Sequence, residues 1–262
     1  MTLEVISRPA ARRRHAQPLL FVHGAWHGAW CWDEHVLGHL ADLGWDSHAL
    51  SLRGHGGSSG RDRLRWHRIK DYVADVGQVV ADLGPGTVLV GHSMGGLVVQ
   101  KYLELYPAPA AALLASVPPR GVLPLTLSVA RQHPALFARA NATMSLAPLV
   151  STPALVREMF FSADLPDELV RDYHARLGDE SYLGYLDMLG LALPRPSRVS
   201  TPLLVVGGED DAMFTVAQVR ATGAAYGART VILPGVAHDV MLDTRWQTVA
   251  DTLAGWLEET LA

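Results

Sequence analysis

Ser93 stands in the run Gly91-His92-Ser93-Met94-Gly95-Gly96, directly after the apolar Thr87-Val88-Leu89-Val90 and directly before an amphipathic stretch. Strand, sharp turn and helix form the context in which a G-x-S-x-G motif presents a nucleophile. Glycines two before and two after the serine relieve the crowding of such a turn. A helix starting behind Ser93 aims backbone N–H groups and its positive dipole end at the serine oxygen. The hydroxyl still needs a base to remove its proton, and the base needs a carboxylate to fix its tautomer and stabilise its charged form. The chain has 12 histidines, so residue type alone selects none. His238 is set apart by position. It follows the apolar Thr230-Val231-Ile232-Leu233 in a short glycine-containing loop before the last helical segment. The candidate carboxylates are Asp210 and Asp211, just past a run ending in Gly207-Gly208, then Asp239 beside the base, and Asp243, which is expected to cap the final helix.

Other chemistry-bearing patterns are weaker. Gly54-His55-Gly56-Gly57 lacks both a Walker lysine and dinucleotide-loop spacing. His23 and His27 are four apart, as zinc ligands on a helix would be. They flank glycines in a loop, however, and no metalloprotease glutamate accompanies them. No metal and no cofactor are expected. The formal net charge of -4, with no basic stripe, argues against nucleic acid. Cys31 is the only cysteine, so no internal disulfide can form. With no secretory signal and no apolar stretch long enough for a membrane span, a cytoplasmic location is expected.

The elements that must position Ser93 and His238 alternate along the chain. Leu19–Val22, Ser47–Leu52, Thr87–Val90 and Ala112–Ala115 read as buried strands, because such continuous apolar runs suit parallel strands covered on both faces. Helices are expected from about Trp32 to Leu43, His67 to Leu83 and Gly95 to Leu105. Arg12-Arg13-Arg14 reads as a solvated turn between two early strands. From Arg120 to Arg198 no convincing strand is found, only helix-sized pieces punctuated by prolines, one of which starts within Asp164-Leu165-Pro166-Asp167-Glu168. Strands resume at Leu203–Val206 and Thr230–Leu233, and a last helix runs from about Thr244 to Leu261. The fold class is therefore α/β, with a mainly parallel central sheet flanked by helices. Residues 1–119 and 199–262 are expected to form the core, and residues 120–198 an inserted helical cap.

His23-Gly24-Ala25, Arg53-Gly54-His55-Gly56-Gly57-Ser58, the Ser93 motif, Gly208-Glu209-Asp210-Asp211 and Gly235-Val236-Ala237-His238 occur in the order seen in the α/β-hydrolase superfamily, which the chain resembles over nearly its whole length. The stretch from His23 to Trp32 is similar to plant methylesterases and hydroxynitrile lyases. The Arg53-Gly54-His55-Gly56 loop is more like bacterial esterases and perhydrolases, and the bacterial esterases are the closer match. The resemblance implies an α/β-hydrolase fold with a cap, and a His238 loop that brings the base over Ser93. The family spacing of Gly, two residues, Asp, one residue, apolar residue fits Gly208, Asp211 and Met213, so it selects Asp211. It also implies an oxyanion hole built from the backbone N–H groups of Ala25 and Met94.

With the resemblance, the Ser-Asp-His set leads to an expectation of hydrolysis of carboxylic esters or lactones with a largely apolar acyl part; a small-molecule substrate and a monomer or homodimer are expected. The same triad serves carbon–carbon bond hydrolysis, perhydrolysis, acyl transfer and hydroxynitrile cleavage, and fold similarity does not choose among them. Plant-type lyases need an added lysine near the site, and Lys70 and Lys101, the only lysines, lie in helical segments away from the motifs. A non-catalytic small-molecule binding protein fits the intact triad poorly. Epoxide hydrolases and haloalkane dehalogenases place aspartate where Ser93 stands. Trp26, Met144, Phe160 and Met188 are the candidate substrate-binding residues. A carboxylate partner raises the pKa of His238 and burial lowers it, so the sequence fixes the rising limb of activity only to between about pH 5.5 and 8.

Overall fold

The computed structural model describes all 262 residues, Met1–Ala262. The first half contains β1 (Glu4–Arg8), β2 (Leu19–Val22), α1 (Trp30–Asp33), α2 (Val36–Asp42), β3 (Ser47–Ser51), α3 (Ile69–Leu83), β4 (Val88–His92), α4 (Ser93–Leu103) and β5 (Ala111–Leu114). Five helices follow: α5 (Leu123–Gln132), α6 (Pro134–Thr143), α7 (Pro153–Phe160), α8 (Asp167–Arg176) and α9 (Tyr182–Leu186). The chain closes with β6 (Leu203–Gly208), α10 (Val216–Tyr226), β7 (Arg229–Leu233) and α11 (Trp246–Leu261).

The strands form one seven-stranded sheet in the order β1-β3-β2-β4-β5-β6-β7. Only β1 runs antiparallel, against β3; every other pairing is parallel. The strands β2, β4 and β5 are buried at every position, as expected where helices cover both faces. β1, at the edge, alternates half-buried and exposed positions. No strand lies between β5 and β6, so the polypeptide from 115 to 202 adds helices and loops alone. No helix is long and apolar enough to cross a membrane.

Several local readings shift. The helix expected over Trp32–Leu43 is two pieces, because His35 leaves helical geometry at φ -141°. α3 starts at Ile69, preceded by a 3-10 turn over Arg61–Trp66. α4 starts at Ser93 itself and ends at Leu103, which leaves Leu105 outside the helix and exposed. Asp243 does not cap α11, whose N-cap is Arg245. Its buried carboxylate instead accepts the backbone N–H and hydroxyl of Ser162, at 3.0 and 2.5 Å, and so ties the loop after His238 to the helical insert.

Candidate active site

Chain segments at the carboxyl ends of four parallel strands converge: residues 23–26 after β2, Ser93 after β4, Asp211 after β6 and His238 after β7. In open α/β sheets this edge is where ligands bind. Ser93 has φ +51°, a left-handed conformation that costs a residue bearing a Cβ on the order of 1–3 kcal/mol. Tight packing enforces the turn. A Cβ on Gly91 would come 2.5 Å from the Gly95 carbonyl oxygen, and a Cβ on Gly95 would strike the Val22 carbonyl. The motif glycines thus serve backbone-to-backbone contact, and α4 begins where the serine stands.

His238 Nε2 lies 3.1 Å from Ser93 Oγ. Its Nδ1 lies 3.0 and 3.1 Å from the two oxygens of Asp211. A proton on Nδ1 donates to this carboxylate and leaves the Nε2 lone pair to accept from the Ser93 hydroxyl. Asp211 is itself held, since its Oδ1 accepts the backbone N–H of Met213 at 2.8 Å and of Phe214 at 3.0 Å. Asp210 is exposed, and its backbone N–H donates to the Val236 carbonyl at 3.1 Å. Burial draws the pKa of His238 down. The charge and hydrogen bond of Asp211, with the charge of Asp239 behind, outweigh burial and hold it above the ordinary histidine value.

The surrounding histidines brace this arrangement. His92 donates from Nε2 to the His238 carbonyl at 2.9 Å, and burial, followed by the charge of His238, brings its pKa down to about 3. It therefore supports the His238 loop as a neutral ring. His23 donates from Nδ1 to the Gly24 carbonyl at 2.7 Å and accepts the Leu52 N–H at 3.0 Å. His27 Nε2 approaches Asp239 at 3.0 Å, yet neither that nitrogen nor the Asp239 oxygens have an aligned hydrogen-bond partner. Possible metal-ligating atoms of His92, His238 and Asp239 come within 4.8 Å of one another. Both ring nitrogens of His238 are already engaged by Asp211 and Ser93, so this cluster fits a resident metal poorly.

The model of the alpha/beta hydrolase family matches residues 19–252. The chain belongs to this family. Over 237 residues, 85% of this chain and 81% of the relative, it is 29% identical to a monoacylglycerol lipase of Mycolicibacterium smegmatis. It is 37% identical over 108 residues to a probable esterase of Oryza sativa subsp. indica, a match confined to 39% of this chain and 40% of that protein. A bromoperoxidase from Bacillus anthracis shares the fold, with a TM-score of 0.76, 17% identity and coverage of 98% and 95% of the two chains.

In this hydrolase, Ser93 opens onto a cavity of about 70 Å³ between the sheet edge and the helical insert. Of its 20 lining residues 17 are hydrophobic, and none carries a charge at neutral pH. Ala25, Trp26, Ser93, Met94, Met213 and Phe214 line it from the sheet side, and Leu146, Met159 and Met188 are among those from the insert. The polar side chains of the insert are tied to one another: Tyr182 donates to Asn141 at 2.8 Å and Tyr185 to Thr126 at 3.3 Å. Trp26 and Met188 line the cavity, but Met144 and Phe160 do not. Met144 ends α6 in a left-handed conformation at φ +48°. Phe160 packs instead against other rings, 6.0 Å from His238 and 5.7 Å from Trp26. The backbone N–H of Ala25 has no acceptor in the protein, and that of Met94 belongs to the open first turn of α4. Neither lysine enters the cavity: Lys70 is exposed and Lys101 binds Glu104 at 2.8 Å.

Sequence reasoning missed the cavity-lining Asn141 and Tyr182, and the buried Glu180, whose Oε2 accepts the Trp26 N–H at 3.3 Å. Nothing in their spacing sets them apart from an ordinary helical surface.

Proposed function

We propose that this hydrolase cleaves carboxylic esters or lactones with a neutral, largely apolar acyl part through a Ser93 acyl-enzyme. One observation carries the reading: the continuous chain Ser93–His238–Asp211, with contacts of 3.1 and 3.0 Å, at the floor of an uncharged apolar cavity. His238 Nε2 takes the Ser93 proton as Oγ bonds to the substrate carbonyl carbon. The N–H groups of Ala25 and Met94 hold the resulting oxyanion. Collapse of the intermediate expels the alcohol, which receives the proton from His238. Water then repeats the two steps and frees the acid. Residues 120–198 act as the cap that excludes water and receives the acyl chain. The lipase and esterase relatives support this substrate class, and the uncharged lining disfavours acids that carry a second charge.

The test is hydrolysis of a graded series of acyl esters, run beside a charged analogue such as a hemisuccinate. The expected result is turnover that rises with apolar chain length until the cavity is filled, little turnover of the charged ester, and none with Ser93→Ala. Preference for the charged ester, or undiminished turnover by Ser93→Ala, contradicts the proposal.

A further inference from the structure

Trp26 follows Ala25 and holds φ +65°, an uncommon conformation for a bulky residue. Such geometry persists only where the surroundings over-determine it. All three of the contacts that fix Trp26 come from the helical insert. Its backbone N–H donates to Glu180 Oε2 at 3.3 Å, its carbonyl accepts the Gly178 N–H at 2.8 Å, and its indole Nε1 donates to the Leu146 carbonyl at 3.3 Å. The last contact is itself secured from the same place. Asp179 Oδ1 accepts the N–H groups of Leu146 and Ala147 at 2.9 and 2.8 Å.

Glu180 is a fully buried carboxylate with every oxygen engaged. Oε2 faces Trp26 N–H and His55 Nε2, the latter at 3.0 Å. Oε1 accepts the Tyr72 hydroxyl at 2.9 Å and the Ser181 N–H at 2.6 Å. Burial alone would raise the Glu180 pKa. The charge and hydrogen bond of His55, then Ser181 and Tyr72, hold it below the ordinary carboxylate value. A buried carboxylate kept ionised and aimed at one backbone N–H of the loop beside Ser93 is an expensive device for mere cohesion, because desolvation opposes it.

We infer that Glu180 is a positioning residue of the insert, which through its Oε2 contact with Trp26 fixes the orientation of the adjoining Ala25 N–H toward the reacting carbonyl. This rests on the proposed Ser93 mechanism. Its consequence is that the insert sets the rate of chemistry as well as the fit of the acyl chain. The Oε2 side, with Trp26 and His55, bears on catalysis. The Oε1 side, with Tyr72 and Ser181, bears on folding.

The experiment compares Glu180→Gln and Tyr72→Phe with the wild type on one apolar ester and with a trifluoromethyl ketone, whose serine adduct carries the oxyanion. Losing an oxyanion donor outright costs about 10²–10³ in kcat. Misaiming one in Glu180→Gln should cost roughly 10- to 100-fold in kcat, less than outright loss. KM should hold within about twofold, and ketone affinity should weaken by the same factor as kcat, since only the transition state engages the donor. Tyr72→Phe should leave both values near wild type. Wild-type kcat in Glu180→Gln, a loss confined to KM, or an equal kcat loss in Tyr72→Phe overturns the inference. If Glu180→Gln does not fold, His55→Gln carries the same test, because it removes the imidazole ring that engages Oε2 on this side. Wild-type kcat there is equally contrary. Ser93→Ala separates the two claims: undiminished turnover in it defeats the mechanism itself, whereas an inactive Ser93→Ala beside a wild-type Glu180→Gln defeats only the role of Glu180.

Discussion

Asp211 and His238 meet through a carboxylate that faces Nδ1 with both oxygens, at 3.0 and 3.1 Å, while two backbone N–H groups hold the same carboxylate from behind. This fixes the tautomer that leaves Nε2 free to accept from Ser93. Asp211→Asn should therefore lower kcat by orders of magnitude, since the corresponding change in a serine protease triad costs about 10⁴. Asp210→Asn changes an exposed side chain and should cost less than about threefold, within the range of ordinary surface substitutions. Steady-state kinetics on one ester decides between them, and the reverse ranking would show that the orienting carboxylate is misassigned.

The pKa of His238 is raised, and the proposed mechanism requires its neutral form. The rising limb of kcat/KM should thus have its midpoint above the ordinary histidine value of about 6.5. Stability carries the opposite sign. For His238 and His55, both raised in the folded state, the contribution is complete below that unfolded value and is lost as pH rises through the folded ones. The lowered carboxyls of Glu180 and Asp239 contribute above the ordinary carboxylate range, and this is lost as pH falls through their folded values. A pH series of kcat/KM beside thermal melts should show activity still climbing where the histidine contribution to stability declines. A kinetic midpoint below 6.5 contradicts the dominance of Asp211 over burial.

The cavity makes separable predictions for three residues named from sequence. Met188→Trp should fill space beside the acyl chain and shift the preferred ester toward shorter acids. Met144→Ala should leave that preference unchanged, because Met144 does not line the cavity. Phe160→Ala should act through folding, at about 3–5 kcal/mol for a buried aromatic side chain. Chain-length profiles and denaturant melts check all three, and a changed profile in Met144→Ala would show that the substrate path runs elsewhere.

Local chemistry explains what the sequence made legible. Ser93, the two flanking glycines and His238 follow directly from strand-to-loop junctions, where a few residues determine the geometry. The choice of Asp211 over Asp210 came from the family spacing that Gly208, Asp211 and Met213 fit, not from local chemistry. The insert resisted because helix periodicity tells which face is apolar but not whether that face meets a cavity or another helix. Phe160 and Met159 are adjacent and both apolar, yet only Met159 lines the cavity. Glu180 gave no signal, since a glutamate between Asp179 and Ser181 reads as solvent-facing until Tyr72 and His55, more than 100 positions away, close over it. The balance of burial against Asp211 at His238 also needed the three-dimensional environment.

Metal removal offers an independent check on the base. With both ring nitrogens of His238 committed to Asp211 and Ser93, prolonged EDTA treatment should leave ester turnover intact, and His238→Ala should remove most of it. Turnover abolished by chelator and restored by zinc, with His238→Ala still active, would return His23 and His27 to consideration as ligands.

The most direct measurement is covalent. A fluorophosphonate should inactivate the enzyme in a one-to-one reaction, and peptide mass mapping should place the adduct on Ser93, with labelling suppressed in His238→Ala. Inactivation with the adduct on another residue, or full activity retained by a protein quantitatively labelled at Ser93, would contradict the account.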